Sequence, residues 1–315
     1  MTSATVPADA VPPSGEQVRL AHGSHEVVTV ALAAGLRSYR VGGRALLDGF
    51  AEHERPDGGR GQTLVPWPNR VAAGRYELDG ATQQLALTEP AKGNAIHGLA
   101  RWVLWSAVER TASSVTWQHV VPPQPGWPTS LVCRVTYALA DDGLTVTTSA
   151  HNVGAADCLY GTGAHPYLTA GTGLVDQAVL QVPAGRWYET DERGIPVAEL
   201  AVEGTDADLR QPQRIGTRVV DTAFTDLARE ADGRWRIRLT HPDGGGAVLW
   251  ADEAYRWAQV FTGDTLPETH RRRGVAVEPM TCPPDAFNAA DPVAAGVVRL
   301  APGDEHVGRW GLAPL

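Results

Sequence analysis

Short strand-like segments, each cut off by a turn pair, recur along this chain, and no segment sustains a 3.6-residue apolar period over three or more turns. That pattern excludes helical bundles, and it also excludes a doubly wound sheet, which needs strands alternating with helices. The segments are 26–33, 76–78, 84–87, 114–119, 130–139, 144–152, 179–182, 235–240, 246–251 and 257–261, with Asp79-Gly80, Asp142-Gly143 and Asp232-Gly233 among the turns. Residues 131–139 and 144–149, joined through Asp142-Gly143, read as a hairpin. The expected architecture is all-β, a large antiparallel β-sandwich in one domain over residues 17–315. Residues 1–16, rich in Ala, Pro, Ser and Thr, read as a disordered leader without the basic and apolar regions of a signal peptide.

Composition narrows the function classes. A formal net charge of -9 in 315 residues argues against nucleic acid as the main partner. No apolar run is long enough to cross a bilayer, so a soluble, cytoplasmic protein without membrane partners is expected. Three separated cysteines without a C-x-x-C spacing fit free thiols better than disulfides or a structural zinc site. Ten tryptophans leave aromatic side chains to spare for a binding cleft.

Four stretches carry more polar and conformationally special residues than packing requires. In Val275-Ala-Val-Glu-Pro-Met-Thr-Cys-Pro-Pro-Asp-Ala-Phe-Asn288 an apolar run ends in Glu278, and Pro279, Pro283 and Pro284 stiffen the backbone beyond it. A carboxylate held by rigid backbone at the end of a buried strand suits a pre-positioned base, although a lone Glu there is more often a surface ion pair. In residues 61–75, Pro66 and Pro68 bracket Trp67 and deliver Asn69 and Arg70, a donor-rich pair for reading hydroxyls. In residues 93–105, His97 stands before Gly98, with Trp102 and Trp105 available for sugar stacking or for the core. In residues 160–168, Gly161 and Gly163 thin the backbone before His165, which Pro166 biases toward extended geometry. Asp221 and Gln259 add an acceptor and an amide of the kind that bind vicinal hydroxyls; a turn Asp is the default for such a position.

Together, Pro66-Trp67-Pro68-Asn69-Arg70, Asn94-Ala95-Ile96-His97-Gly98, Gly163-Ala164-His165-Pro166-Tyr167 and Glu278-Pro279-Met280-Thr281-Cys282-Pro283-Pro284 resemble the aldose 1-epimerase (mutarotase) family, in family order and over nearly the whole chain after the leader. The resemblance is to the bacterial branch. It implies a large β-sandwich and an isomerase that interconverts the α and β anomers of a hexose such as glucose or galactose, without metal or organic cofactor. It implies Glu278 as general base, His165 as general acid and His97 as a second active-site histidine. Arg70, Asn69, Asp221 and Gln259 would bind sugar hydroxyls. On this reading burial raises the Glu278 pKa and a neighbouring acid keeps His165 protonated, the two groups flanking the C1–O5 unit.

Other readings stay open at this level. His97, His165 and Glu278 are two histidines and a carboxylate, the donor set of a metal site, though not at a close sequence spacing. The fold can serve as a sugar binder without catalysis, or be reused for another ring-opening or proton-transfer reaction. A phosphorylated or sulfonated sugar would want further cations, which Arg75 or Arg271 to Arg273 can supply. The partner is a small-molecule sugar, and monomer and homodimer are both compatible with the sequence.

Overall fold

The computed structural model describes residues 11–171 and 173–315. Two large sheets, with every strand pair antiparallel, form the body of the molecule. The first runs in the order Ser106–Arg110, Ser114–Val121, Leu131–Ala140, Gly143–Asn152, Glu305–Pro314, Gly246–Ala251, Trp235–Thr240, Val179–Gln181 and Gln213–Arg214. The second runs Pro196–Ala201, Ala184–Thr190, Asp221–Leu227, Trp257–Phe261, Gly274–Met280, Gly163–Ala164 and Thr63–Leu64, with Tyr167–Thr169 also paired to Gly274–Met280. A smaller sheet, Gln17–His22, His25–Val30, Gly35–Val41 and Arg44–Ala45, carries the N-terminal strands. Among the described residues only Val175–Gln177 and Ala286–Asn288 are helical, each a single 3₁₀ turn, and no helix is long and apolar enough to cross a membrane.

The expected hairpin forms with Leu139 opposite Leu144 and Leu131 opposite Asn152. Its period-two pattern sends Leu131, Cys133, Val135 and Tyr137 into the core, where they join a cluster that reaches both sheets. The same alternation acts in the second sheet. Ala258 and Val260 of one strand, and Val275 and Val277 of the next, belong to this core. Gln259 and Glu278 therefore point to the opposite face, side by side in register. The strand of Glu278 does not stop there, as the sequence suggested. It continues through Pro279, opposite Ala258, to Met280.

Of the expected leader, residues 1–10 lie outside the described residues. Ser14 and Gly15 are buried, and the Ser14 and Glu16 carbonyls accept hydrogen bonds from Leu32 and Ala31. The three cysteines are buried and free. Trp105 belongs to the core, whereas Trp102 is 52% exposed.

Candidate active site

Register brings the separate motifs together. Gly163 pairs with Met280 and Tyr167 with Ala276, so the chain between them crosses beside Glu278, and His165 is the residue midway. The result is a buried pair, His165 Nε2 3.2 Å from Glu278 Oε1. Glu278 is only 3% exposed. The second oxygen of the carboxyl, Oε2, and the second nitrogen of the ring, Nδ1, are buried without hydrogen-bond partners among the described residues.

Packing fixes the imidazole. Tyr167 stacks on it, with ring centroids 5.1 Å apart and planes 16° from parallel, and the Arg60 guanidinium lies 4.4 Å from the Tyr167 ring centre. Tyr167 is anchored by donating its hydroxyl hydrogen to the Gly58 carbonyl at 2.8 Å. Gly59 also lies against the ring. A Cβ added there would stand 2.6 Å from His165 Cδ2, and its φ of +75° also favours glycine.

His97 is held differently. The strands Arg70–Ala72 and Asn94–Ile96 pair, and beyond them Asn69 and His97 continue the contact at φ +51° and +61°. The His97 backbone N–H donates to the Asn69 carbonyl at 2.8 Å, and the Asn69 backbone N–H donates to His97 Nδ1 at 3.2 Å. A backbone N–H can only donate, so Nδ1 is an acceptor and the neutral ring carries its hydrogen on Nε2. Burial, reinforced by the Arg101 positive charge, holds His97 well below the usual imidazole range. It is a fixed neutral donor.

The polar groups expected from the sequence to bind hydroxyls form a chain. Asn69 Nδ2 donates to Gln259 Oε1 at 3.4 Å, and Gln259 Nε2 donates to Asp221 Oδ1 at 2.6 Å. Arg70 holds Glu89 with both arms, at 2.8 and 2.9 Å, and against the upward push of burial these bonds keep Glu89 below the usual carboxylate range. All seven residues singled out in the sequence, Glu278, His165, His97, Arg70, Asn69, Asp221 and Gln259, line one cleft of about 290 Å³. A groove of about 660 Å³ elsewhere on the molecule is larger, but its Arg186 and Glu199 already neutralise each other and it contains no buried acid–base pair. Chemistry singles out the smaller cleft.

The protonation of the pair departs from the sequence expectation. Burial, with Asp221 adding repulsion, raises Glu278 well above the usual carboxylate range. Burial, with the Arg101 charge adding to it, lowers His165 to about 3. The neighbouring acid therefore does not keep His165 protonated, because that acid is itself pushed toward its neutral form. Both shifts disfavour the charged forms, so burial drives the pair toward a neutral state. Nor do the two groups stand apart, ready to flank a sugar; they are in contact.

His97, His165 and Glu278 each offer a ligand atom within 4.8 Å of the others, compact enough to enclose a metal ion. The surroundings fit poorly. A metal-bound histidine normally donates its second N–H to a carboxylate or carbonyl, and His165 Nδ1 has no such partner among the described residues. Arg70 and Arg101 also bring positive charge to the same cleft.

Sequence reasoning passed over Arg101, Tyr167, Gly59 and Glu89. Tyr167 was legible as the i+2 neighbour of His165 in a strand-forming motif, and Arg101 as the only arginine or lysine of residues 93–105. Nothing in the sequence tied Gly59 or Glu89 to the cleft.

A large antiparallel β-structure that places a buried carboxyl–imidazole pair in a polar cleft is the scaffold of an isomerase of the epimerase class. The chain belongs to the aldose 1-epimerase family, whose profile matches residues 16–312. It is 37% identical over 278 residues to the uncharacterized protein YihR of Escherichia coli, covering 88% of this chain and 87% of that one. It is 29% identical over 226 residues to galactose mutarotase of Mus musculus, covering 67% and 64%. The crystal structure of a galactose mutarotase-like protein from Clostridium acetobutylicum superposes with a TM-score of 0.84 at 16% sequence identity, over 95% of both chains.

Proposed function

We propose that the protein is an aldose mutarotase that interconverts the α and β anomers of a hexose such as glucose or galactose. The observation that carries this reading is the buried His165–Glu278 pair, 3.2 Å apart, with an unpartnered polar atom on each residue. Anomer exchange requires one proton to leave the C1 hydroxyl and one to arrive on the ring oxygen. Because O1 and O5 share C1, a base and an acid lying side by side can reach both. When the sugar hydroxyl approaches Glu278 Oε2, the carboxylate gains a donor that favours its charged form, and the shared proton shifts to His165. Glu278 then takes the O1 proton as His165 gives its own to O5. The C1–O5 bond breaks, C1 becomes an aldehyde, and rotation about C1–C2 precedes reclosure with the roles reversed. The neutral His97 supplies a hydrogen bond from Nε2 to the oxygen on which charge develops. Asn69, Arg70, Asp221 and Gln259 hold the remaining hydroxyls.

The test is anomer exchange monitored by NMR on glucose and galactose. Glu278→Gln and His165→Asn each should reduce the rate by at least about a hundredfold, the scale of positioned acid–base catalysis, without loss of the fold. Either variant exchanging at the wild-type rate would sink the assignment.

A further inference from the structure

Two arginines line the cleft in different electrical settings. Arg70, near Asp221, is already neutralised by its pairing with Glu89. Arg101 feels Glu278 and Glu89 without pairing directly to either. Its Nε donates to Gln62 Oε1 at 3.1 Å while Gln62 Nε2 donates to the Arg101 carbonyl at 2.9 Å. This two-way clamp, on a buried glutamine, fixes the guanidinium by its neutral partner and leaves both Nη groups without a protein acceptor among the described residues. No carboxylate lies within 4 Å of it there; Arg60, which stacks on Tyr167, is by contrast paired to Asp48 and Asp57. Next to Arg101 the half-exposed Trp102 ring lies 5.2 Å from its guanidinium carbon, and the exposed Arg55 reaches the same ring at 5.9 Å. Arg55 likewise has no carboxylate partner among the described residues. Neither Arg75 nor Arg271 to Arg273 lines the cleft, and Arg272 is taken up by Asp176 and Asp264.

We propose that Arg101, with Trp102 and Arg55 beside it, is an anion subsite at the rim of the cleft, and that the substrate is an aldose carrying a negatively charged substituent away from C1. The proposal rests on the mutarotase reading and narrows its substrate class. A planar guanidinium held at Nε presents its two outer N–H groups as a fork, which matches two oxygens of a phosphate, sulfonate or carboxylate. The half-exposed indole bounds the subsite and keeps two like charges close together, where their fields add on an incoming anion. A neutral sugar leaves this fork to water, so it forgoes a charge-assisted contact that an anionic sugar makes.

Anomer exchange of glucose, glucose 6-phosphate and glucuronate, compared as kcat/KM, tests this and separates phosphate from carboxylate recognition. At least one anionic sugar should exceed glucose by roughly ten- to a hundredfold, the worth of a charge-assisted hydrogen-bonded pair. Arg101→Gln should shrink that ratio toward one, Arg55→Ala should shrink it less, and added salt should shrink it in the wild-type protein. The salt series keeps the test decisive if Arg101→Gln fails to fold. A glucose rate equal to or above those of both anionic sugars, or a ratio unmoved by salt, overturns the subsite while leaving the mutarotase reading intact. Absence of exchange with all three sugars overturns both.

Discussion

A carboxyl group as deeply buried as Glu278 would be unstable as an isolated anion, and an imidazole as deeply buried as His165 would be unstable as an isolated cation. Placed in contact, each relieves the other, since one proton serves both and the pair stays neutral. This arrangement has a kinetic signature. The working form holds one proton, so activity is lost on the acid side only when a second proton enters, and the acceptor for it is His165. Its folded pKa is depressed, so that protonation occurs near pH 3 rather than near the ordinary imidazole value of about 6.5. On the alkaline side the pair loses its only proton, above the ordinary carboxylate range because Glu278 is raised. The acid limb of the profile of kcat/KM against pH is therefore expected near pH 3, with no loss of activity as the pH is lowered from about 7 to about 5, the stretch where a free histidine of pKa about 6.5 would gain a proton. A tenfold fall on acidification across that stretch, with the fold intact by circular dichroism, would show that His165 takes up its second proton with the pKa of an ordinary imidazole and is not held down by its burial beside Glu278.

At the scale of elements, the strands with clean alternation were legible. Residues 235–240, 246–251 and 257–261 form as the sequence predicts, and the segments 130–139 and 144–152 form to within one residue at each end, so the hairpin's second strand runs three residues beyond the expected 149. Where both faces of a strand are polar or exposed, alternation gives no signal; Ser106–Arg110 and Pro196–Ala201 are such strands, and both were missed. The expected strand at 84–87 forms instead at Ala81–Gln84, where the Asp79-Gly80 turn sets the register rather than apolar content. The site motifs were legible because their residue types are chemically specific, but their meeting point was not. It depends on the pairing of Gly163 with Met280 and of Tyr167 with Ala276, more than a hundred residues apart. The loop carrying Gly59 shows what this hid. Gly59→Ala would place a methyl 2.6 Å from His165 Cδ2 and 3.0 Å from Nε2, the atom that faces Glu278, so the ring must shift out of its alignment with the carboxyl. The expected result is a loss of on the order of 1 kcal/mol in stability from the positive φ, together with at least about a tenfold drop in kcat from lost alignment. Gly80→Ala is the control, since Gly80 has φ +76° and open space around its Cα. It should reproduce the stability loss alone; a parallel fall in kcat there would assign the Gly59 effect to general destabilisation.

Over the whole molecule, the His165 backbone is tied to the N-terminal segment by a continuous path of hydrogen bonds. The Glu16 and Ser14 carbonyls hold Ala31 and Leu32, and Gly15 packs against Leu104. In the adjoining turn the Ala33 carbonyl accepts from Thr63, Leu36 donates to the Gly61 carbonyl, and Gly61 donates to the carbonyl of His165. Residues 11–16 thus brace the corner on which the loop of Gly59, Arg60 and Gln62 is mounted. Deleting residues 1–16 removes two backbone bonds to that corner, the Gln17 to Ser14 side-chain bond and the Arg110 to Glu16 ion pair. At about 1 kcal/mol for each hydrogen bond, the expected penalty is roughly 2–3 kcal/mol. In a chain of this size that corresponds to a fall in Tm on the order of 5 °C. Deleting residues 1–10 alone supplies the baseline against which the loss of residues 11–16 is read. Because the lost bonds lie on the path to His165, the longer deletion should also lower kcat at a temperature where the protein is fully folded, which separates a brace from a mere addition to stability. Equal Tm for the two deletions would place the boundary of the folded unit at Gln17 and leave the corner to be held by the two large sheets alone.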